Sequence, residues 1–323
     1  MKLTEIYWHL RPDIIKIEKE IEQNIDAQHQ VLQQASSHLL KAGGKRIRPV
    51  FVLLAAQFGD YNIEKVKHVA VPLELIHMAS LVHDDVIDNA ELRRGKKTIK
   101  SKWDNRTAMY TGDYMFAKAI EIATLSNRPD LHKYLSEAMV EMCIGEVEQI
   151  RDQYNWQQNL RIYFRRIKRK TALLISVSCQ LGAIVADASP LHQLQLKKYG
   201  YYVGMAFQIT DDILDFVGTE KELGKPAGSD LAQGNVTLPV LLAMEKNSEL
   251  NERIITYLKT ESRIPFDMKA TIEDIKATGA IQEAKKVADK YIKKALLALE
   301  PLPELRAKAA LQQIADYISE RKF

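Results

Sequence analysis

The sequence predicts an all-α protein, one large helical bundle built around a central cavity, and three observations carry that prediction. Apolar residues recur at helical spacing almost from end to end. Glycine (14) and proline (10) are sparse in the 323 residues and mostly punctuate those periodic runs. No alternating strand pattern of comparable length occurs. With no low-complexity tract or Ser/Gly linker, residues 1–323 are expected to form a single domain.

The elements follow in order. Ile14, Ile17, Ile21 and Ile25, spaced by three and four, mark an amphipathic first helix. A second, over 28–41, stops at Gly43-Gly44, a usual terminator. An apolar helix follows Pro49 and runs through Phe58, closed by Gly59-Asp60-Tyr61-Asn62. The next spans 63–89, and further helices are predicted over 105–126, 130–154, 157–186 and 190–217. Gly218 to Gly234 holds four glycines and one proline and is predicted as the one long loop. Shorter helices continue to Phe323, punctuated by Pro265, Gly279, Pro301 and Pro303.

Composition narrows the function. A net charge of +4 is too mild to argue for nucleic acid. The densest basic run, Arg165 to Lys170, reads as a solvated helix face. Cys143 and Cys179 lie in apolar helical patterns and read as reduced core residues of a cytoplasmic protein. Met1 to Leu10 is amphipathic and too polar for a signal peptide. No apolar run reaches the roughly 18 to 20 residues that span a bilayer, so any membrane contact is expected to be peripheral.

The chemistry begins with a repeated acidic signature, Asp84-Asp85-x-x-Asp88 and Asp211-Asp212-x-x-Asp215. On a helix each sends its carboxylates toward one small volume. Each also sits near a helix C-terminus, where the macrodipole disfavours negative charge. A solvated helix end would explain one copy. Two with the same spacing point to bound cations, and carboxylates suit Mg²⁺, which completes its shell with water and substrate phosphates.

Cationic segments lie nearby. Gly43-Gly44-Lys45-Arg46-Ile47-Arg48-Pro49 puts three cations between a glycine turn and a helix start, an arrangement that binds anions. Arg93-Arg94-Gly95 follows the first signature by five residues, and a guanidinium grips phosphate oxygens with a planar fork. Taken singly, each could be an exposed basic loop.

In this order the motifs resemble the trans-prenyltransferases, the polyprenyl diphosphate synthases. The resemblance covers essentially the whole chain. It rests on Gly44 to Pro49, Asp84 to Asp88 with Arg93-Arg94-Gly95, Lys170-Thr171, Phe207-Gln208, Asp211 to Asp215, and Gly224-Lys225 with Asp230. The stretch from Glu74 to Gly95 is most similar to the catalytic subunit (component II) of two-component bacterial heptaprenyl diphosphate synthases.

The resemblance implies an isoprenoid synthase fold and a transfer reaction. Isopentenyl diphosphate is added repeatedly to an allylic diphosphate, farnesyl diphosphate being the expected primer, with menaquinone as the destination of the chain. It implies Mg²⁺, two or three ions per site, held by Asp84, Asp88, Asp211 and Asp215. Catalytic roles would fall to Asp84, Asp85, Asp88, Arg93, Lys170 and Asp211. Arg93, Lys170, Thr171, Gln208 and Lys225 would contact the allylic diphosphate, and Lys45, Arg48, His77 and Arg94 the isopentenyl diphosphate. Without the family pattern His77 reads as structural, and His83 as a hydrogen-bonding support. A smaller, dissimilar regulatory subunit (component I) is the implied partner. One departure stands out: Gly234-Asn235-Val236-Thr237 lacks the lysine many members carry at its second position.

In the family the growing chain runs beside the helix bearing the first signature. The gate residues four and five before Asp84 are Ser80 and Ala79, both small, which implies a long product. Ala79 lies about 7.5 Å from Asp84 along the axis and Ile76, a candidate deeper wall, about 12 Å. The resemblance implies a long-chain product of about C30–C40, heptaprenyl in expectation. Two rival readings fit the motifs less well. A class I terpene cyclase needs no second diphosphate pocket, and a non-catalytic regulatory subunit would be expected to lose an acidic signature.

Overall fold

In the computed structural model the described residues are 3–26, 28–44, 46–219, 226–260 and 266–320. They form helices almost throughout, as predicted. These are α1 (Leu3–Asn24), α2 (Gln30–Lys41), α3 (Ile47–Ala56), α4 (Ile63–Ile87), α5 (Ile99–Lys102), α6 (Asn105–Thr124), α7 (Pro129–Asp152) and α8 (Leu160–Ile167). There follow a π-helix (Lys168–Ala172), α9 (Leu173–Val185), α10 (Pro190–Val217), α11 (Ser229–Ala232) and α12 (Leu238–Lys246). The last are α13 (Ser248–Lys259), α14 (Met268–Ala277), α15 (Ala280–Leu299) and α16 (Arg306–Glu320).

Local chemistry sets several starts. Asn62 accepts from the Glu64 amide to cap α4, Asp104 from Thr107 to cap α6, and Asn159 from Ile162 to cap α8. Each satisfies an amide that the helix itself leaves unpaired.

The chain divides into two compact units. One comprises Met1–Met139, Val177–Lys197 and Pro301–Gln313; the other comprises Val140–Ser176, Lys198–Glu300 and Ile314–Phe323. In the first, α4 is apolar on nearly every side, from Val66 to Val82, and is buried against α1, α3 and α6. A helix with no polar face belongs at a centre. The expected stripe Ile14, Ile17, Ile21 and Ile25 is buried in this unit. In the second, Ile209, Ile213 and Phe216 of α10 join Tyr163, Leu238, Leu241 and Ile254 in one core.

Three expectations need correction. The helix over 157–186 is broken by the π-helix at Lys168–Ala172, a register slip that apolar periodicity does not reveal. The all-α class holds, the strand among the described residues being one short hairpin in which Leu92–Arg93 (β1) pairs antiparallel with Lys96–Lys97 (β2). Arg94 and Gly95 form the two-residue turn between them, both at positive φ (53° and 74°), the signature of a primed hairpin turn. Cys143 is exposed and only Cys179 is buried. The basic run at 165–170 is not a solvated face, since Arg166 is buried and Arg169 is ion-paired. Smaller shifts are that α3 begins before Pro49 and that the loop after α10 contains α11.

Candidate functional site

The first unit brings together the cations that the sequence spread over three segments. Arg46 and Arg94 both adopt left-handed backbone, unusual for residues with a side chain and typical of positions held by function. A Cβ on Gly44 would lie 2.6 Å from Arg94 Nη1 and 3.1 Å from Arg46 Nη1, so glycine there leaves room for two guanidiniums. Arg46 is buried and neutralised, donating to Glu18 at 2.9 Å and Glu74 at 3.2 Å. Arg48 is different. Its Nε is buried without a hydrogen-bond partner, as is Glu74 Oε2. Burial, with Arg94 adding to it and Glu74 opposing, pushes the Arg48 pKa down to about 10. His77 is held well below its usual value, first by desolvation and then by Arg48, Arg94, Arg93 and Arg46. A neutral imidazole among four arginines is a pocket short of an anion. Lys45 lies outside the described residues.

Beside this pocket α4 ends in the first acidic signature. Asp84 is half-buried and Asp88 exposed. Asp85 points inward, where Arg93 donates to its Oδ1 from Nε at 2.8 Å and Nη2 at 2.7 Å. Burial raises the Asp85 pKa and Arg93 opposes the rise. Thus Arg93 secures the helix end as well as standing near it. His83 supports the same turn, its Nε2 lying 3.2 Å from the Met109 carbonyl oxygen and 3.3 Å from Asp113, as expected of a support.

The product-length residues lie on one face of α4, in steps of three and four. Ala79 and Ile76 are fully buried, and the Ser80 hydroxyl donates to the His77 carbonyl at 2.9 Å, so it presents no polar obstacle. Further along that face, Val69 and Pro72 line a small crevice together with His68, Leu131, Leu135 and Leu181.

The second unit holds the other signature. Asp211 is half-buried, whereas Asp212 and Asp215 are buried. Asp215 accepts from Ser229 Oγ at 2.9 Å and from the Asp230 amide at 3.2 Å, and so fixes the start of α11. Asp212 accepts from Tyr163 Oη at 2.6 Å and from Gln208 Nε2 at 2.9 Å. Gln208 Oε1 in turn accepts from Thr171 Oγ1 at 2.5 Å. Burial, then Asp230, raises the Asp212 pKa to about 7. Lys170 donates to Gln149 at 2.8 Å. Lys170 and Thr171 both project from the π-helix, which α10 approaches closely: a Cβ on Gly204 would fall 2.5 Å from Ala172 Cα. Asn235, where many members have lysine, donates its backbone N–H to the Asp230 carbonyl at 2.8 Å. Lys225 lies outside the described residues.

Tyr163 and Arg166 were not singled out from sequence. Arg166 donates to Gln158 Oε1 at 2.8 Å and to the Val236 carbonyl, and lies over the Tyr163 ring. The only sequence signal for Tyr163 was its place seven residues, two helical turns, before Lys170. Its phenol is kept protonated by burial and by Asp212, so it remains a donor. Tyr163→Phe removes one of two donors to a buried carboxylate. It is expected to lower kcat about tenfold with little change in KM, read by steady-state kinetics beside a melting curve. An unchanged kcat would dismiss the contact as packing.

Among the described residues no three acidic, histidine or cysteine side chains form a ready-made metal cage. The donor set nevertheless fits a hard divalent ion, because Mg²⁺ takes one or two carboxylates and fills its shell with water and phosphate oxygens.

Comparison with known proteins places these features. The polyprenyl synthetase family profile matches residues 29–275. Heptaprenyl diphosphate synthase component 2 of Bacillus subtilis (strain 168) is 56% identical over 324 residues, spanning 100% of this chain and 92% of that one. The crystal structure of a heptaprenyl diphosphate synthase from Staphylococcus aureus is similar at TM-score 0.89 and 44% identity, covering 97% and 98% of the two chains. A polyprenyl synthase from Caulobacter crescentus CB15, complexed with calcium and isoprenyl diphosphate, is similar at TM-score 0.94 and 30% identity, covering 99% and 98%.

Proposed function

The chain belongs to the polyprenyl synthetase family, and from that premise we infer how its residues divide the work of a long-chain trans-prenyltransferase. It is an elongating enzyme of the heptaprenyl diphosphate synthase type, the component 2 partner of a two-component assembly. We take residues 1–323 as one catalytic domain and place it in the cytoplasm. No helix among the described residues is long and apolar enough to cross a membrane.

The observation that carries the assignment of residues is the anion-deficient cluster of half-buried Arg48 and His77 with exposed Arg94, in which Arg48 Nε is buried without a partner, next to a carboxylate-rich helix end. A terpene cyclase would have no use for it. We assign that pocket to isopentenyl diphosphate, with Lys45 expected to join it. Asp84, Asp88 and Asp211 are assigned to Mg²⁺, two or three ions. The Asp215 carboxylate would serve only as its bonds to Ser229 and Asp230 open. Bound metal supplies positive charge to the departing diphosphate. Lys170, Thr171, Gln208, Lys225 and Arg93 add donors to the same group, stabilising charge where it develops. The allylic C–O bond ionises, the isopentenyl double bond attacks the cation, and a proton leaves. No side chain in these motifs stands out as its base. In the family the diphosphate itself is thought to accept it.

The test is direct. The purified chain is incubated with Mg²⁺, farnesyl diphosphate and labelled isopentenyl diphosphate, alone and with the companion chain of the Bacillus subtilis relative. Long-chain product only in the mixture is expected; robust product from the chain alone refutes the need for a companion. The same assay reads the tunnel. Ala79→Phe is expected to give a shorter product and Ile76→Gly a longer one. Leu135→Phe, placing a larger side chain at the crevice lined by Val69 and Pro72, should trim only the far end. Unchanged lengths in all three would place the growing chain elsewhere.

A further inference from the structure

Arg166 carries a buried positive charge that no carboxylate neutralises by contact. It is 7% exposed, and its two hydrogen bonds go to neutral oxygens, Gln158 Oε1 at 2.8 Å and the Val236 carbonyl. These satisfy its donors but not its charge. Among the described residues no carboxylate oxygen comes within about 4 Å of it, the reach of an ion pair. Arg46 shows the ordinary solution, a buried guanidinium bonded to both Glu18 and Glu74. A cation buried among neutral acceptors is costly, and such a cost is retained where it serves a site.

What surrounds Arg166 is the second acidic signature. Tyr163 stands one turn before it on α8, and the guanidinium carbon lies 5.7 Å from the centre of the Tyr163 ring. The phenol of that ring donates to Asp212 at 2.6 Å. On the other side, the Val236 carbonyl belongs to the loop 233–237 that joins α11 to α12. Near α11 that loop is fixed by backbone bonds, Tyr154 N–H to the Gly234 carbonyl at 2.9 Å and Asn235 N–H to the Asp230 carbonyl at 2.8 Å. Asp230 in turn donates its N–H to Asp215 at 3.2 Å. At the α12 end the Thr237 hydroxyl is buried without a partner, so the side-chain hold there comes from Arg166. One guanidinium thus ties the tyrosine that anchors Asp212 to the loop that anchors Asp215. Position 235, next to the carbonyl it holds, is a half-buried asparagine and brings no charge of its own.

We propose that Arg166 is a positioning residue for the allylic diphosphate site, a standing positive charge held on α8 in place of the one that Asn235 does not supply from the loop. This rests on the assignment of Lys170, Thr171 and Gln208 to the allylic diphosphate and deepens it. Asp211, Asp212, Asp215 and Asp230 lie in the same compact unit as Arg166, and the substrate adds the charge of its phosphates. A cation fixed in the interior is little screened, so its field acts beyond the atoms it touches. Both its terminal nitrogens are already bonded to protein. It therefore acts through Tyr163, the loop and its field rather than by touching the substrate, an arrangement that needs no rearrangement as charge develops.

The experiment uses the full chain with the Bacillus subtilis companion and Mg²⁺. Farnesyl diphosphate binding is titrated by calorimetry without isopentenyl diphosphate, so that no elongation occurs, and turnover is measured with both substrates. Arg166→Gln keeps an amide donor for the Val236 carbonyl and loses the charge. It should weaken farnesyl diphosphate binding about fivefold and lower kcat about tenfold, with KM for isopentenyl diphosphate unchanged. Arg166→Lys keeps the charge and should stay within about threefold of wild type in both readouts. Adding Asn235→Lys to Arg166→Gln should recover about threefold in binding, a rescue that a merely structural bond would not show. Equal losses in Arg166→Lys and Arg166→Gln overturn the charge as the cause, and wild-type behaviour of Arg166→Gln overturns the role altogether. An Arg166→Gln chain that no longer folds makes the guanidinium a structural tie and overturns it too. No recovery from Asn235→Lys overturns position 235 as the place of the missing charge. Unchanged farnesyl diphosphate binding in Lys170→Ala would instead sink the allylic-site assignment itself, and the role of Arg166 with it.

Discussion

Asp84→Ala and Asp211→Ala are each expected to lower kcat on the order of 10³-fold, by removing a carboxylate that offsets charge only when metal and diphosphate are present. The two signatures have the same internal division of labour. In the first, Asp85 is buried and fixed by Arg93 while Asp84 remains half-buried at the end of α4. In the second, Asp212 is buried and fixed by Tyr163 and Gln208 while Asp211 remains half-buried on α10. Each middle aspartate is an anchor, and each leading aspartate is presented by it. The two classes should therefore fail differently. Replacing Asp84 or Asp211 should leave the melting temperature near wild type, or raise it, because a like charge is removed from the unfavourable end of a helix dipole. Replacing Asp85 or Asp212 by alanine should lower it, since Arg93 or the Tyr163 phenol is left without its partner. Metal titration of turnover separates the causes further: Asp84→Ala should need more Mg²⁺ to reach half of its residual rate. Wild-type turnover in either leading-aspartate variant would remove the metal assignment.

Much of this was legible because helices write themselves into sequence at a fixed period. The α4 and α10 runs, their bounds to within about two residues, and the placement of both signatures at their C-terminal ends could all be read directly. What stayed hidden depended on contacts across sequence. Arg93 and Arg94 looked alike in sequence, yet the turn at Arg94-Gly95 sends one to Asp85 and the other toward Gly44. Arg166 sat in a run of charges that composition reads as solvated, and its burial is compensated by Gln158 and Val236, which no local pattern announces. The π-helix adds one residue to a turn without changing which residue types appear, so periodicity passes over it. Cys143 and its apolar neighbours had the hydrophobicity of a core and lie on the outside. Pattern reports that a face is apolar, not what covers it.

Arg94→Gln and Arg48→Gln are each expected to raise KM for isopentenyl diphosphate and to cut kcat/KM about 10²-fold, leaving KM for the allylic substrate nearly unchanged, because a charge-assisted bidentate contact is lost on one substrate only. Arg48 carries a buried Nε without a partner, and its lowered pKa still leaves it charged at pH 7. An incoming diphosphate supplies the missing acceptor and relieves the crowding of Arg48, Arg94 and Arg46 around a single buried carboxylate, Glu74. Arg46 is the informative contrast. It is as basic and as close, but both its charged partners are already in place at Glu18 and Glu74. Arg46→Ala removes the guanidinium bonded to both Glu18 and buried Glu74 and should cost about 1.5–3 kcal/mol of stability, a falling melting temperature rather than a selective KM effect. Gly44→Ala tests the same geometry without touching a charge. Its new Cβ would meet the flexible tip of Arg94 at 2.6 Å, so the fold should survive while the guanidinium moves and KM for isopentenyl diphosphate rises. Bisubstrate kinetics on the four variants decides the matter. If KM rises equally for both substrates in Arg48→Gln and Arg94→Gln, these arginines do not form a separate isopentenyl diphosphate pocket, and the cations at 46 to 48 and 93 to 94 serve one diphosphate rather than two.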